Sequence, residues 1–207
     1  MNLVEVMVAT PAARARAIET VVAAFAADPA FRFFFQDDAS FDDQAATFAG
    51  YLFDRRVLRD AVRIVDGGAS VAMWDAPSPP RGDSRVETPP LDLPTDTLAR
   101  LDAYEAAVHP ALPTSPHWYL GVLATHPNFA GRRWGRAVMA AGLRRAAADD
   151  LPAYLETTNP YNVDVYRRAG WEVTTSMGFE TINVWIMSYA GRPPSRDLLP
   201  QEERGRR

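Results

Sequence analysis

The chain has 207 residues, 47% of them hydrophobic, which is enough to bury one full core. Its formal net charge of −4 argues against a nucleic-acid-binding surface, and the absence of cysteine excludes disulfides and thiolate metal sites. No apolar run approaches the roughly 20 residues of a membrane span, and the N-terminus lacks a signal-peptide pattern, so we expect a cytoplasmic protein without membrane or nucleic-acid partners.

The first third of the chain predicts a strand followed by two helices. Residues 3–9 form the strand, and a helix starts at Thr10 with a proline in its first turn and ends at Asp28-Pro29. The aromatic run 30–38 falls between helices, either as core or as the lining of a substrate pocket, and base rates favour core. A second helix is predicted over 41–59.

A hairpin comes next, with strands over 62–66 and 69–75 around a Gly-Gly turn. The segment 77–94 is rich in proline and charge and predicts a surface loop. Leucine and tyrosine at helical spacing predict a helix over 95–108, and three prolines then separate it from a strand over 117–125.

After this strand, a turn rich in glycine and arginine opens directly into a helix. The remaining elements are predicted as strand, short helix, strand and strand, over 152–159, 162–171, 172–177 and 180–189. A turn at Met177-Gly178 joins the last two strands. We expect one domain over 1–190 and a polar tail over 191–207, with helices packed on a mixed sheet.

The turn after strand 117–125 has the chemistry of an anion site. Free backbone N–H groups and the helix dipole favour a negative group at a helix N-terminus, whereas arginines placed there oppose the dipole. An anion such as a pyrophosphate accounts for Arg132, Arg133 and Arg136 at this position. The alternative is a plain connection with a solvated first turn. This alternative stays open because all 22 basic residues of the chain are arginine, which indicates a codon bias. With such a bias, a single arginine is weaker evidence of a functional role.

Two motifs in this region carry a resemblance to a known family. Residues 125–137, THPNFAGRRWGRA, resemble V-x-P-x-x-Q-G-x-G-x-G/A, and Asn162, Tyr166 and Gly170-Trp171 match N-x-x-x-Y-x-x-x-G-F. Together with the order of elements, they resemble the GNAT superfamily of N-acetyltransferases, which transfer an acyl group from coenzyme A to an amine. Ala130 stands where the family has Gln or Arg, and Arg133 where it has glycine. Arg133 either crowds the pyrophosphate or binds it.

The resemblance implies a fold and a reaction. The fold is α/β (α+β), a mixed, mostly antiparallel central sheet of about seven strands flanked by helices, with a splayed parallel strand pair. The activity is an acyltransferase reaction with acetyl-CoA (coenzyme A) as co-substrate, no metal and a small-molecule amine as acceptor. Homodimers are common among proteins of this kind.

The resemblance also implies where the cofactor lies. The pantetheine arm inserts beside strand 117–125, where a backbone N–H near Val122 polarises the acetyl carbonyl and Gly121 fits a bulge or a packing gap. Asn162 either binds this arm or caps its helix. The implied cofactor-binding residues are Leu123, Ala124, Thr125, Gly131, Arg132, Arg133, Trp134, Gly135, Arg136, Ala137 and Asn162.

Two residues are candidates for the proton transfers. Tyr166 is positioned by the motif to protonate the leaving thiolate, although a tyrosine on an amphipathic helix is often core. Glu156 shares a strand face with Tyr154 and Thr158, and it either takes the proton of the amine or has a structural partner. The candidates for the acceptor pocket are aromatic: Phe31, Phe33, Phe34, Trp74, Trp185 and Tyr189.

The sequence therefore predicts an N-acetyltransferase that acts by direct attack of the amine on the thioester, since the chain has no cysteine for a covalent shuttle. The alternative is a non-catalytic acyl-CoA-binding module that kept the fold. Ala130, Arg133 and the absence of a carboxylate on strand 117–125 support that alternative.

Overall fold

A computed structural model describes residues 4–77 and 90–190. Within these ranges, seven strands form one sheet in the order β1-β2-β3-β4-β5-β7-β6, and every neighbouring pair is antiparallel except β4–β5. The predicted fold class is confirmed. The strands are β1 (Met7–Val8), β2 (Val62–Val65), β3 (Ser70–Asp75), β4 (Trp118–Thr125), β5 (Ala153–Thr157), β6 (Glu172–Phe179) and β7 (Ile182–Tyr189). The helices are α1 (Arg14–Phe25), α2 (Pro29–Phe34), α3 (Phe41–Val57), α4 (Thr95–Val108), α5 (Trp134–Ala148) and α6 (Pro160–Arg167).

The aromatic run after α1 is helical, and its placement between helices was wrong. The side chain of Asp28 caps α2 by accepting hydrogen bonds from the N–H groups of Ala30 and Phe31, and Pro29 fits the first helical position. The same Asp-Pro pair that ends α1 therefore starts α2. Phe31 and Phe34 are buried, so the preference for core is confirmed for them.

The helix predicted over 95–108 is confirmed at both ends as α4. The turn predicted at Met177-Gly178 was wrong, because β6 continues through Gly178 to Phe179. The chain reverses instead at Glu180, which takes a φ of 48°. Most of the loop 77–94 and the whole tail 191–207 lie outside the described residues.

Each face of the sheet carries its own core. One face packs against α1, α2, α3 and α4, and the other against α5 and α6. Val71 and Met73 of β3 point to the first face, whereas Ala72 and Trp74 point to the second, as strand alternation requires. No helix in the described part of the chain is long and apolar enough to span a bilayer.

Candidate active site

The parallel strands β4 and β5 diverge soon after they meet. Trp118 pairs with Ala153 and Tyr119 with Tyr154, and the described ladder between the two strands ends there. β4 nevertheless continues to Thr125, and it stays paired with β3 along that length. The edge of β4 that faces β5 is thus left without strand partners, and a wedge opens between the two strands.

A β-bulge in β4 lies just inside this wedge. Met73 pairs with Val122 and Trp74 with Leu120, so Gly121 is the extra residue, as the sequence predicted. A Cβ on Gly121 would lie 3.0 Å from Nη2 of Arg56, so a guanidinium occupies the space that a side chain would need.

Glu156 reaches the mouth of the wedge from β5. It shares the face of Tyr154, which packs against the core beneath α1–α4, as the alternation predicted. Oε2 of Glu156 is shut off from solvent, and no hydrogen-bond partner for it is found among the described residues. Burial raises the pKa of Glu156 to about 7, while its own backbone N–H and the charge of Arg56 act in the opposite direction.

A second carboxylate, which the sequence analysis did not assign to the site, belongs to Asp28. Its Oδ1 caps α2 and lies 3.5 Å from the hydroxyl of Thr158, just beyond β5. Burial raises the pKa of Asp28, although these hydrogen bonds act against it. The sequence predicted only that Asp28 and Pro29 end α1, so the role of Asp28 as the cap of α2 was missed.

Two buried tyrosines lie within electrostatic reach of both carboxylates. Tyr104 of α4 and Tyr166 of α6 are each 9% exposed. Burial, followed by the charges of Glu156 and Asp28, raises the pKa of both phenols. Tyr166 packs on the opposite core, on a helix that contacts β5, which is one of the two strands that border the wedge.

The turn that follows β4 has a left-handed backbone at two positions. Gly131 has a φ of 78°, and Arg133 a φ of 62° with a ψ of 17°. Arg133 is the N-cap of α5 and makes no side-chain capping bond, so the helix begins at Trp134 with its first N–H groups uncapped by a side chain.

Arginine and aromatic side chains stack beside this helix start. The rings of Phe129 and Trp134 stack with centroids 5.1 Å apart. The guanidinium of Arg132 lies 5.1 Å from the centroid of the first ring and 5.2 Å from that of the second, and Arg16 of α1 lies 5.7 Å from Phe129. The ring faces hold Arg132 beside the uncapped N–H groups, so a positive charge is set in place for an anion.

Comparisons with known proteins agree with this architecture. Residues 99–171, which run from within α4 to the residue before β6, match the model of the Acetyltransferase (GNAT) family. The histone acetyltransferase HPA2 and related acetyltransferase from Corynebacterium glutamicum has a similar structure, with a TM-score of 0.66 at 21% identity over 93% of this chain and 98% of that one.

Two further solved structures share the fold at lower identity. The C-terminal condensation domain of Ebony, in complex with beta-alanyl-dopamine, gives a TM-score of 0.68 at 13% identity over 91% of this chain and 99% of that one. Arylalkylamine N-acetyltransferase 2 from Aedes aegypti gives 0.61 at 11% identity over 92% and 100%.

The resemblance to the GNAT superfamily is confirmed. The wedge between β4 and β5 is the splay that the GNAT resemblance implied. The GNAT loop motif ends in close packing between α5 and β4, because a Cβ on Gly135 would lie 3.1 Å from Oγ1 of Thr125. That hydroxyl in turn lies 2.8 Å from Oγ of Ser70, which fixes the end of β4 under the helix.

Some predicted site residues take other positions in this GNAT fold. Asn162 lies within α6, and the cap is Asn159, whose side chain accepts from the N–H of Tyr161. The capping role considered for Asn162 was therefore wrong, because Pro160 starts the helix two residues earlier. Three of the aromatic residues predicted for the acceptor pocket pack on the sheet face covered by α5 and α6, opposite to the face of Glu156: Trp74, Trp185 and Tyr189.

No group of three or more His, Asp or Glu side chains in the described ranges is placed to hold a metal ion.

Proposed function

We propose that this chain is an acetyl-CoA-dependent N-acetyltransferase that acts on a small-molecule amine by direct attack, with residues 1–190 as one domain. The observation that carries the proposal is the wedge between β4 and β5. It opens beside the left-handed turn of α5 on one side and beside Glu156, Asp28 and Tyr166 on the other. A thioester lying in the wedge would have its phosphates at the turn and its carbonyl among these proton-transfer groups.

The cofactor would be held mainly by backbone. Along Leu123, Ala124 and Thr125, β4 pairs with β3 on one edge, and its other edge has no strand partner among the described residues, so the amide-rich pantetheine arm would add there as a short strand. The pyrophosphate would take the N–H groups from Gly131 to Arg136, with the guanidinium of Arg132 as a charged donor, whereas the N–H of Ala137 already donates to the carbonyl of Arg133 at 3.2 Å. Arg133, Arg136 and Asn162 complete the proposed set.

The chemistry assigns one proton donor and one acceptor. The amine nitrogen attacks the carbonyl carbon, a C–N bond forms, and the oxygen takes up negative charge next to the N–H near Val122. When the C–S bond breaks, the hydroxyl of Tyr166 gives its proton to the sulfur. The proton lost by the amine passes to Glu156 and returns to Tyr166 through solvent, so the products are an amide and free coenzyme A.

Glu156 suits the role of base better than an ordinary glutamate. Its pKa of about 7 lies near neutral pH, where a base combines sufficient ionisation with sufficient proton affinity. Asp28 is a second acidic side chain beside the end of β5. It favours an acceptor that arrives as a cation and releases one proton to solvent before its neutral nitrogen attacks.

The acceptor we propose is an amine with an apolar or aromatic body. Burial and the charges of both carboxylates raise the pKa of Tyr104. Its ring lies in a cluster with Phe34 and Phe179, at centroid distances of 5.1 and 5.6 Å. The ring of Phe33 lies 5.4 Å from Phe179 and is only half-buried. A similar fold named for arylalkylamine acetylation supports this class of acceptor.

Calorimetry and a thiol-release assay test the proposal together. We expect acetyl-CoA to bind with heat release and free thiol to appear only when an amine from an aromatic and aliphatic panel is added. Binding without thiol release or acetylated product would favour the non-catalytic acyl-CoA-binding module, which the departures Ala130 and Arg133 from the family motif support. A failure to bind at millimolar acetyl-CoA would contradict both functions.

A further inference from the structure

An ion pair between a buried arginine and a half-buried aspartate lies next to the site and has no part in the mechanism above. Arg56 of α3 is 5% exposed. Its Nη2 donates to Oδ2 of Asp75 at 2.5 Å and its Nη1 to the carbonyl of Leu52 at 2.9 Å. Its Nε is buried, and no partner for it is found in the described part of the chain. An ion pair that buries a guanidinium is weak evidence for stability, because taking the charge out of water offsets much of the attraction and apolar residues of similar volume often stabilise a fold as well or better.

The strand registers place this pair at the mouth of the wedge. Asp75 pairs with Tyr119, which pairs with Tyr154, so these three residues form the last row that joins β3, β4 and β5. Two residues further along their strands come Gly121, under the guanidinium of Arg56, and Glu156.

Both of these positions face the helices α1–α4. The side-chain direction of Gly121 points at Arg56 of α3, and Glu156 shares the face of Tyr154. The guanidinium and the carboxylate of Glu156 therefore flank the opening from its two sides, with the bulge between them.

Charged and titratable groups from four other elements interact electrostatically with Glu156. They are Arg56 of α3, Asp75 of β3, Tyr104 of α4 and Tyr166 of α6, and Asp28, the cap of α2, acts on the same two tyrosines. Within this group, burial raises the pKa of Glu156 most, the charge of Arg56 lowers it, and the charge of Asp75 raises it. Arg56 is the one cation among these groups, and Asp75 is bonded directly to it.

We propose that the Arg56–Asp75 pair is a positioning device that sets the proton affinity of Glu156 across the mouth of the wedge. The pair holds one positive charge against the bulge of β4 and offsets part of it with Asp75, so that Glu156 can exchange a proton near neutral pH. The inference rests on the proposed function, in which Glu156 takes the proton of the amine.

Removing each charge in turn gives shifts of opposite sign. In Asp75→Asn, a negative charge near Glu156 is lost and Arg56 is no longer neutralised, so the carboxylate is favoured and its pKa falls. In Arg56→Met the positive charge is lost and the pKa rises, whereas Arg56→Lys keeps the charge and restores most of the wild-type value. We expect each shift to be about one pH unit.

The first measurement is an NMR titration of the Glu156 carboxylate in the protein without acetyl-CoA, assigned by its loss in Glu156→Gln. Asp54→Asn is the matched control, because Asp54 lies on α3 as Arg56 does but pairs with Arg14 on the exposed side. That control should leave the titration of Glu156 unchanged. An unchanged titration in Asp75→Asn would overturn the proposal. If Arg56→Met does not fold, the titration of Asp75→Asn is sufficient to test the proposal.

The second measurement is the pH profile of kcat/KM with acetyl-CoA and the best amine. Its acidic limb should move to lower pH in Asp75→Asn and to higher pH in Arg56→Met, by the amounts seen in the titration. A shifted titration with an unmoved limb would also overturn the proposal. A protein with no acetyl transfer at all would contradict the proposed function, while the titration alone would still decide whether the pair acts on Glu156.

Discussion

Two residues of the proposed site differ from their ordinary behaviour, Arg133 in its backbone conformation and Tyr166 in the pKa of its phenol. Arg133 takes a left-handed backbone conformation that glycine adopts without strain, and a side chain there costs roughly 1–2 kcal/mol. A tyrosine is protonated at neutral pH, and the burial of the Tyr166 phenol raises its pKa further. A protonated phenol beside the wedge is what a departing thiolate requires.

Removing the hydroxyl of Tyr166 tests this role. We expect Tyr166→Phe to lower kcat by about 10²-fold or more, the usual loss of a general acid, with little change in acetyl-CoA affinity. Tyr161→Phe is the matched control, because Tyr161 lies on the same helix and is 71% exposed. Steady-state kinetics and calorimetry on both variants give the answer, and an unchanged kcat would remove Tyr166 from the mechanism.

The charge of Arg132 is the second prediction at this scale. Its guanidinium is held over Phe129 and Trp134 beside the start of α5, so Arg132→Gln should weaken acetyl-CoA binding about 10-fold. Arg144→Gln, on an exposed position of the same helix, should not. Calorimetric Kd values at low and moderate salt measure both, and equal affinities would place the phosphates elsewhere.

At the level of elements, the site depends on how closely the helices approach the sheet. α5 lies against β3 through Gly142, where an added Cβ would overlap the indole of the fully buried Trp74. On the other face, Arg100 of α4 donates to the carbonyl of Phe34 at 2.8 Å and so fixes α4 against α2, next to Tyr104. Both helices thereby hold their site residues at set distances from the wedge.

Two glycine substitutions separate close packing from helix propensity. Gly142→Ala should destabilise the protein by about 1–3 kcal/mol, because the rigid Trp74 must move. Gly50→Ala should leave stability nearly unchanged, since its Cβ meets the end of the half-exposed Arg14 side chain, 2.5 Å away, which can swing aside. Urea denaturation of both variants makes the comparison, and equal losses would contradict the packing argument.

Over the whole molecule, the burial of Glu156 lowers the free energy of unfolding at neutral pH and at the same time gives the site a carboxylate suited to proton transfer. Burying Glu156 raises its pKa from 4.5 to about 7, so the folded protein holds a proton there that the unfolded chain releases between these values. Wild-type stability at this group is therefore complete below about pH 4.5 and is lost as the pH rises towards 7. Oε2 of this carboxylate is buried and has no hydrogen-bond partner among residues 4–77 and 90–190, so its ionisation lowers the stability of the folded state.

Glu156→Gln should remove that cost. We expect the variant to be more stable than the wild type by about 1–3 kcal/mol at pH 8, with the difference shrinking at pH 5, where the wild-type carboxyl is largely protonated when folded. Glu105→Gln, at an exposed position of α4, should show no such pH dependence. Denaturation curves at the two pH values measure it, and a less stable variant at pH 8 would contradict the raised pKa.

Patterns within single elements could be read from the sequence. The helix over 95–108, the bulge at Gly121 and the common face of Glu156 and Tyr154 follow from periodicity and residue type, which act locally. The cap of α2 by Asp28 is also local, but the Asp-Pro step serves two helices at once, and only one of them was recognised.

By itself, the sequence determined the order of elements except for α2, the turn rich in glycine and arginine before α5, and the motifs that resemble the GNAT family. These depend on neighbours in the chain, through backbone conformation, capping and alternation. Only the tertiary structure decided that Arg56, Asp75 and Glu156 lie around one opening of the sheet. These residues come from distant segments, and the sheet register and helix packing that unite them depend on long-range contacts that no local pattern records.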